Sequence, residues 1–422
     1  MIIDHSSPIT AAEFSAAMVR LGPFEPSPRI AAAVSGGPDS MALALLASEW
    51  ARGRGGSLLA LLVDHGLWHD SASEAAQAAA RLADRGIAAR VLTLHGLERG
   101  AALAERARVA RFTSLVDACA AGGIVHLLLG HHAADQAETV LIRSLGGSGP
   151  GGLAGILPLV ELPTVRLLRP LLAMPPVRLR ATLTAAGLPW AEDPSNVDTN
   201  ALRPRLRQLR ADVDGVGSAT AALVAAAAAS SRIRAQDAAG VAAWLAESVS
   251  LRPEGFALLP NEPIAPAALA ALIQTIAGAP FPPARQQVMA LATAPRPATM
   301  AGVRLLPAGR LGRGLILARE PAAMSAPVAA RGGAVWDGRF RLGRDVVVAD
   351  GATFGALGAN ASRLRRVSPL PSAVLRTLPA VRQGERLLAV PHLHYPDAAT
   401  CARFPVTFCP ARPAAAAPFP AV

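Results

Sequence analysis

The chain contains no lysine; all 41 of its Lys/Arg positions are arginine. Cysteine is scarce, with only Cys119, Cys401 and Cys409, and none in CxxC spacing. An odd, unpaired count argues against a disulfide framework or a zinc site, and makes the reducing cytoplasm the expected location. Long apolar runs are missing as well. No stretch approaches 20 uninterrupted large apolar residues, so no membrane partner is expected. The run around Ala219 to Ala229 is mostly alanine and reads as the helix of a soluble protein. Met1-Ile2-Ile3-Asp4-His5 lacks a basic stretch followed by an apolar one, so no signal peptide is expected.

What is present bounds the rest. A chain of 422 residues suggests two or three domains and is long enough to bury a core without staples. With 52% hydrophobic and 17% charged residues, the disordered, collagen-like and coiled-coil classes are excluded. The formal net charge is +11. Arginine's planar fork matches phosphate, which points to nucleotide or nucleic-acid partners. A biased codon pool produces the same excess, so charge sign alone assigns no partner.

The first half alternates short apolar runs with helical periodicity. Strands are predicted at Ile30–Val34, Leu58–Val63, Ala89–Leu94 and Ile124–Leu129. Helices are predicted over Asp39–Trp50, from a capping box at Ser71 and Glu74 to about Asp84, over Leu103–Ala120 and over Ala133–Leu145. Repeated βαβ units imply a parallel sheet with helices on both faces, whose ligands sit beyond the strands' carboxyl ends. Ser35, Asp64 and Gly130-His131 fall at such ends. Gly146 to Gly152 reads as a glycine-rich loop, either flexible or close to a ligand. From about Ala211 to Thr275 the pattern is helical and alanine-rich, with proline-rich breaks beyond. A β-rich segment begins near Ala334, Arg363 to Pro391 forms a basic unit, and the tail from Ala411 is expected to be disordered.

One motif carries chemistry. Ser35-Gly36-Gly37-Pro38-Asp39-Ser40 follows a buried strand and opens a helix. Adjacent glycines let backbone N–H groups form a nest for anionic oxygens, and the helix N-terminus adds partial positive charge. The serine hydroxyls can donate to phosphate. Asp39 would repel a bare phosphate, so a metal ion is expected between them. His131 and His132 at a strand end could stabilise phosphate charge or shuttle a proton near neutral pH. Asp135 and Glu138, at i and i+3, share one face of a helix start and could hold an ammonium; they equally complement the helix dipole. Asp64 suits a nucleotide, a metal or a turn. The patterns GxxxxGK[ST] and GxGxxG are absent at the first turn.

The hexapeptide resembles the PP-loop of the N-type ATP pyrophosphatases, which cleave ATP between the α and β phosphates. Val63-Asp64-His65-Gly66-Leu67, Gly130 to Thr139, Arg169-Pro170-Leu171-Leu172 and Trp190 to Asn196, with Arg203 and Arg207 beyond, narrow the resemblance. In this order they are similar to the tRNA(Ile)-lysidine synthase family, strongly over about residues 27 to 210. Val367 to Pro391 resembles that family's C-terminal domain. The resemblance implies an α/β fold: a parallel-sheet PP-loop domain of the adenine nucleotide alpha hydrolase type over 1–210, a helical middle domain over 211–330, a small mixed C-terminal tRNA-binding domain over 331–410 and a tail over 411–422.

It also implies a ligase that joins free L-lysine to C2 of the wobble cytidine in tRNA(Ile) with a CAU anticodon, using ATP and Mg2+ and passing through an adenylated cytidine. It gives Asp39, His131, Asp135, Glu138 and Arg203 catalytic roles. ATP would be held by Ser35, Gly36, Gly37, Pro38, Asp39, Ser40, Asp64 and Arg111, from a helix that also carries Arg106 and Arg108, with Mg2+ on Asp39. Lysine would be held by Asp135 and Glu138, and tRNA by Arg169, Arg203, Arg207 and Arg376. A homodimer is compatible with the sequence. Two arginine-dense sets, from Arg166 through Arg178, Arg180 and Arg210, and from Arg363 to Arg386, are expected to grip different parts of the tRNA. The family usually has Asp or Asn at Ala134, Arg at Gly146, a basic residue at Pro176 and Asn at Pro204. The alternatives are a PP-loop cytidine 2-thiolation enzyme and a non-catalytic RNA-binding relative.

Overall fold

A computed structural model describes residues 7–66, 70–97, 100, 102–148, 150–191, 206, 212–366 and 368–415. The first unit runs to Gln236 and the second begins at Asp237. The first is built on six strands: β1 Arg29–Val34, β2 Ser57–Asp64, β3 Ala88–Thr93, β4 His126–Leu128, β5 Leu159–Glu161 and β6 Arg166–Leu168. Their order is β3-β2-β1-β4-β6-β5. All neighbours pair in parallel except β5 on β6.

The apolar runs become strands because the sheet is covered on both faces. Ile30, Ala32 and Val34 of β1 share one core with Met41, Leu46 and Trp50 of α2 (Pro38–Arg52), Leu82 of α3 (Ser71–Ala83) and Leu179 and Leu183. Ala31 and Leu61 point the other way, into a core with Leu115 and Cys119 of α4 (Leu103–Ala121). The chain winds outward through β2 and β3, then returns across β1 to β4. The order therefore reverses between β1 and β4, and such reversal points open a crevice at the strands' carboxyl ends. The turn after β1 and the start of α5 (Ala133–Leu145) both lie there.

Two local expectations change. Ser71 does not cap α3. Asp70 occupies the cap position and makes no side-chain capping bond to the helix, and the Ser71 hydroxyl donates to Asp64 Oδ1. The glycine-rich stretch is not all loop, because Pro150–Leu153 forms a helical turn, α6. A further helix, α7 (Pro176–Ala186), begins at Pro176, where proline's fixed φ suits the first turn. Its Arg178 anchors the N-terminal helix α1 (Ala11–Val19). Arg178 donates to Ser7 O, Pro8 O and both carboxylate oxygens of Glu13 at 2.8–3.0 Å.

The second unit holds strands that the alanine-rich pattern concealed. After the helix Ser218–Ser248, residues Ser250–Arg252 and Phe256–Leu259 pair and join Val303–Pro307, Leu315–Arg319 and Ala298–Met300 in a five-stranded antiparallel sheet. Helices Pro266–Ala277 and Arg285–Thr293 cover it through Leu269, Leu272, Ile273, Val288 and Leu291. A four-stranded and a three-stranded sheet follow. Buried Asp337 accepts from Arg319 at 3.0 Å and from Arg339 Nε at 2.8 Å, fastening the five-stranded sheet to the hairpin that opens the C-terminal part. The expectation of disorder from Ala411 fails over 411–415. Ala411 N donates to Gly338 O, Arg412 O accepts from Thr275 Oγ1 at 2.8 Å, and Ala414 packs on the core. Residues 416–422 lie outside the described residues.

Candidate active site

The β1–α2 turn is stapled from within. Ser40 is buried; its Oγ accepts from Ser35 N at 3.1 Å and donates to Gly37 O at 3.0 Å. The Ser40 hydroxyl therefore shapes the loop, while the exposed Ser35 remains the serine at its mouth. Gly36 takes φ +88°, a conformation that favours glycine, and its carbonyl accepts from Ala191 N at 2.9 Å. Pro38 opens α2 just after Gly37, so the helix N-terminus faces the crevice. The arrangement fits a polyphosphate held by backbone N–H groups.

The loop after β4 lies directly on this cradle. A Cβ on Gly130 would stand 3.3 Å from Asp39 C, Asp39 O and Ser40 Cα, so only glycine fits without a shift. The sequence placed Gly130 at a strand end but gave it no role; its close approach to a distant turn is visible only in three dimensions. Next to it, buried His132 stands between two acids. Its Nε2 is 3.4 Å from Asp39 Oδ2 and 3.6 Å from Asp135 Oδ2, and its backbone N–H donates to Asp135 Oδ2 at 3.1 Å. Thus His132, paired with His131 in the sequence reading but left out of the catalytic set that the resemblance implied, bridges the two acids expected to act.

His131 occupies a different environment. Burial, aided by Arg169 and Arg108 and opposed by Asp135, lowers its pKa to about 4. In this environment it is held neutral at pH 7, available as a hydrogen-bonding group or base. Arg169, expected at an RNA surface, is largely enclosed beside this field. Its pKa falls to about 10 through burial and Arg108, and one guanidinium nitrogen donates to Leu157 O at 2.8 Å. Arg111 on α4 is half-buried and is lowered by the same causes. These guanidinium groups disfavour one another, a positive field that a bound polyphosphate would relieve.

Asp64, expected at the nucleotide, has its carboxylate engaged. Ser71 and Gly66 N, the latter at 2.9 Å, both donate to Oδ1 and hold its pKa down. The side chain organises the turn after β2. Glu138 is completely buried within α5. Asp135 retains 13% exposure at the start of the same helix. Asp39, with 34% of its side chain exposed, stands at the mouth of the cradle. Magnesium commonly takes one carboxylate with phosphate oxygens and water completing its shell, so this donor set fits it. Among the described residues no cluster of three or more His, Cys, Asp or Glu forms a self-sufficient metal cage. Arg203 and Arg207, with Glu192 to Asn196, lie outside the described residues.

Of the first arginine-dense set, the described members Arg166, Arg178 and Arg180 are engaged within the protein. Arg166 donates to Leu21 O, Gly22 O and Pro23 O at 2.9–3.0 Å, Arg178 holds Glu13, and Arg180 pairs with Asp214 at 2.7 Å. In the second set, Arg382 donates to Ala356 O and Leu357 O. Arg363, Arg365, Arg366, Arg376 and Arg386 remain exposed. Within the second unit, Arg363, Arg386 and Arg403 line a cleft of about 710 Å³ with Tyr395. No described helix is long and apolar enough to cross a membrane.

Comparison with known proteins agrees with this geometry. Residues 9–211 match the PP-loop domain family. A tRNA(Ile)-lysidine synthase of Bradyrhizobium sp. (strain BTAi1) is 44% identical over 204 residues, 48% of this chain and 56% of that protein. That match spans little more than half of the relative's length. The protein of the same name from Ruegeria pomeroyi is 36% identical over 382 residues, 87% of this chain and 89% of its own. The one from Methylobacterium nodulans is 38% identical over 300 residues, 66% of this chain and 84% of its own.

Proposed function

Because the chain belongs to the tRNA(Ile)-lysidine synthase family, we propose that it ligates lysine to the wobble cytidine of a CAU-anticodon isoleucine tRNA. The observation that carries the reading is the meeting, at the sheet's reversal point, of a phosphate cradle with Asp39, His132 and Asp135. In the first step the cytidine O2 attacks the α-phosphorus of ATP, an O–P bond forms, and pyrophosphate leaves. The cradle orients the triphosphate, and the field of Arg108, Arg111 and Arg169 offsets charge at the phosphorus. Asp39 would hold magnesium, which when bound neutralises phosphate charge. In the second step the lysine ε-amine attacks C2, the C2–O bond breaks, and AMP departs with that oxygen. Asp135 and Glu138 hold the ammonium end, and neutral His131 is suited to take the proton that the amine must lose. Arg203, Arg207, Arg376 and the exposed arginines of the second unit would contact the tRNA backbone. The wobble base must leave its stack for C2 to be reached.

The division into a catalytic part over 1–210, a middle part over 211–330 and a tRNA-binding part over 331–410 belongs to the same proposal. Sulfur transfer through Cys119 or Cys401 is disfavoured: burial pushes the Cys119 thiol up to about 11 and raises Cys401 as well. Mass spectrometry of nucleosides from CAU-anticodon tRNA, incubated with the protein, ATP, magnesium and lysine, should show lysidine. Release of AMP and pyrophosphate should depend on the tRNA. ATP split only at its terminal phosphate would overturn the assignment. Asp39→Ala should abolish adenylation, whereas Glu138→Ala should spare adenylation more than lysine transfer.

A further inference from the structure

One buried ring stands between two acids that come from different helices. Asp39 lies in the first turn of α2, which follows β1, and Asp135 lies in the first turn of α5, which follows β4. The Nε2 of His132 is 3.4 Å from Asp39 Oδ2 and 3.6 Å from Asp135 Oδ2. A carboxylate oxygen only accepts, so Nε2 carries the hydrogen. At these lengths neither contact takes that hydrogen outright, and one N–H is shared between two acceptors.

The ring is not free to follow either acid. His132 N donates to Asp135 Oδ2 at 3.1 Å, His132 O accepts from Gln136 N at 3.1 Å, and the adjacent Ala133 N donates to Met174 O at 3.0 Å. Two residues earlier, Gly130 rests on the backbone of Asp39 and Ser40. The scaffold therefore sets where the ring sits, and the ring joins the carboxylate at the phosphate cradle to the carboxylate at the start of α5.

We infer that His132 is a positioning residue that serves both steps: its Nε2–H holds the Asp39 and Asp135 carboxylates at a fixed separation, and so sets the seat of the magnesium triphosphate against the seat of the amine. This rests on the lysine-ligation reading and adds the group that places one substrate relative to the other. The reaction needs such a gauge. Cytidine O2 must meet the α-phosphorus and the neighbouring C2 must meet the amine, and reacting atoms have to come within about 3–3.5 Å. The two acids depend on the ring unequally. Asp135 keeps the backbone N–H of His132 as a second donor, whereas among the described residues the ring is the side chain that partners Asp39. Loss of the ring should therefore weaken the triphosphate side more than the amine side.

The test reads each side separately. Calorimetric titration with magnesium–ATP, without tRNA or lysine, gives a Kd that reports Asp39. The KM for lysine in lysidine formation reports Asp135. His132→Gln brings an amide N–H to about the place of Nε2, His132→Asn stops at the place of Nδ1, and His132→Ala removes the donor. A hydrogen bond to a charged group is worth about 10-fold or more in an equilibrium. The expected result is a Kd for magnesium–ATP raised about 10-fold and a KM for lysine raised about threefold in His132→Ala and His132→Asn, with both constants within about twofold of the parent in His132→Gln. Where His132→Ala fails to fold, the Gln and Asn variants carry the comparison, and equal urea midpoints for these two show that the difference is not one of stability. Equal losses in Gln and Asn would make the ring mere packing and overturn the positioning role. So would tighter magnesium–ATP binding without the ring, which would mean that it competes for Asp39 instead of holding it. If the parent forms no lysidine, the functional reading fails first; if it forms lysidine and the variants match it in both constants, only the role of His132 fails.

Discussion

Replacing Gly130 with alanine tests the cradle at its tightest point. The added Cβ would meet three backbone atoms, Asp39 C, Asp39 O and Ser40 Cα, each at 3.3 Å. Ordinary carbon contacts lie at about 3.5–4.0 Å, so the loop after β4 and the start of α2 must separate by a few tenths of an ångström. Neither side is the free end of a flexible chain. One is the first turn of a helix buried along most of its length; the other follows β4, which pairs with both β1 and β6. The fold should absorb the shift for about 1–2 kcal/mol of strain. Geometry should suffer more, because His132 and Asp39 are brought together across this contact. With about 100-fold lost per ångström of misplacement, adenylation should slow by about 10-fold. Single-turnover pyrophosphate release measures the loss, and urea unfolding measures the strain. Gly240→Ala is the control: it lies within the helix Ser218–Ser248 with open space around it, and should leave activity unchanged and stabilise by up to about 1 kcal/mol. Adenylation by Gly130→Ala at the parent rate would refute the view that this approach sets the cradle.

Other expectations concern charge and anchoring. Ser71→Ala removes a hydrogen bond to buried, ionised Asp64 and should cost about 2 kcal/mol in urea unfolding at pH 7. It should also raise the Asp64 pKa; a parent-like unfolding curve would show that the bond contributes nothing. The Glu13 carboxyl is lowered from its ordinary 4.5 to about 2, chiefly by the Arg178 hydrogen bond. The folded state therefore gains from this pair above pH 4.5 and loses the gain as pH falls toward 2. Denaturation series at pH 6 and pH 3 should show a smaller acid loss in Glu13→Gln than in the parent; equal losses would remove Glu13 from the account. Arg178→Ala should be more damaging, by about 2–3 kcal/mol, because it strands the Ser7 and Pro8 carbonyls and leaves a partly exposed carboxylate unpaired, and a thermal midpoint within a degree of the parent would contradict that.

The sequence made the cradle and α5 readable because both are local. A strand, two glycines and a proline-led helix lie within a dozen residues, and Ala133–Leu145 is the helix that the periodicity predicts. Bonds between distant residues were hidden. Ser71 and Glu74 have the spacing of a cap, yet Ser71 turns to Asp64, seven residues earlier. His131 and His132 are adjacent and chemically identical, and only the direction of each ring decides which one meets Asp39. Arg166 and Arg178 look like the exposed arginines of the second unit, but carbonyls 143 to 171 positions away absorb their donors. The strands at Ser250–Arg252 and Phe256–Leu259 are three and four residues long, too short to show a period beside a 31-residue alanine-rich helix. The joint between Arg319 and Asp337 likewise needs partners that no local pattern names.

Arg178 serves four acceptor atoms at once, spread over Ser7, Pro8 and Glu13. An ammonium, with three hydrogens on one nitrogen, could not span them, and in alkaline solution it would shed its proton. A guanidinium keeps its charge there. The clasp between α1 and α7 is therefore vulnerable on one side of the pH scale alone: acid can neutralise the carboxylate, whereas no base mild enough to spare the polypeptide can discharge its partner.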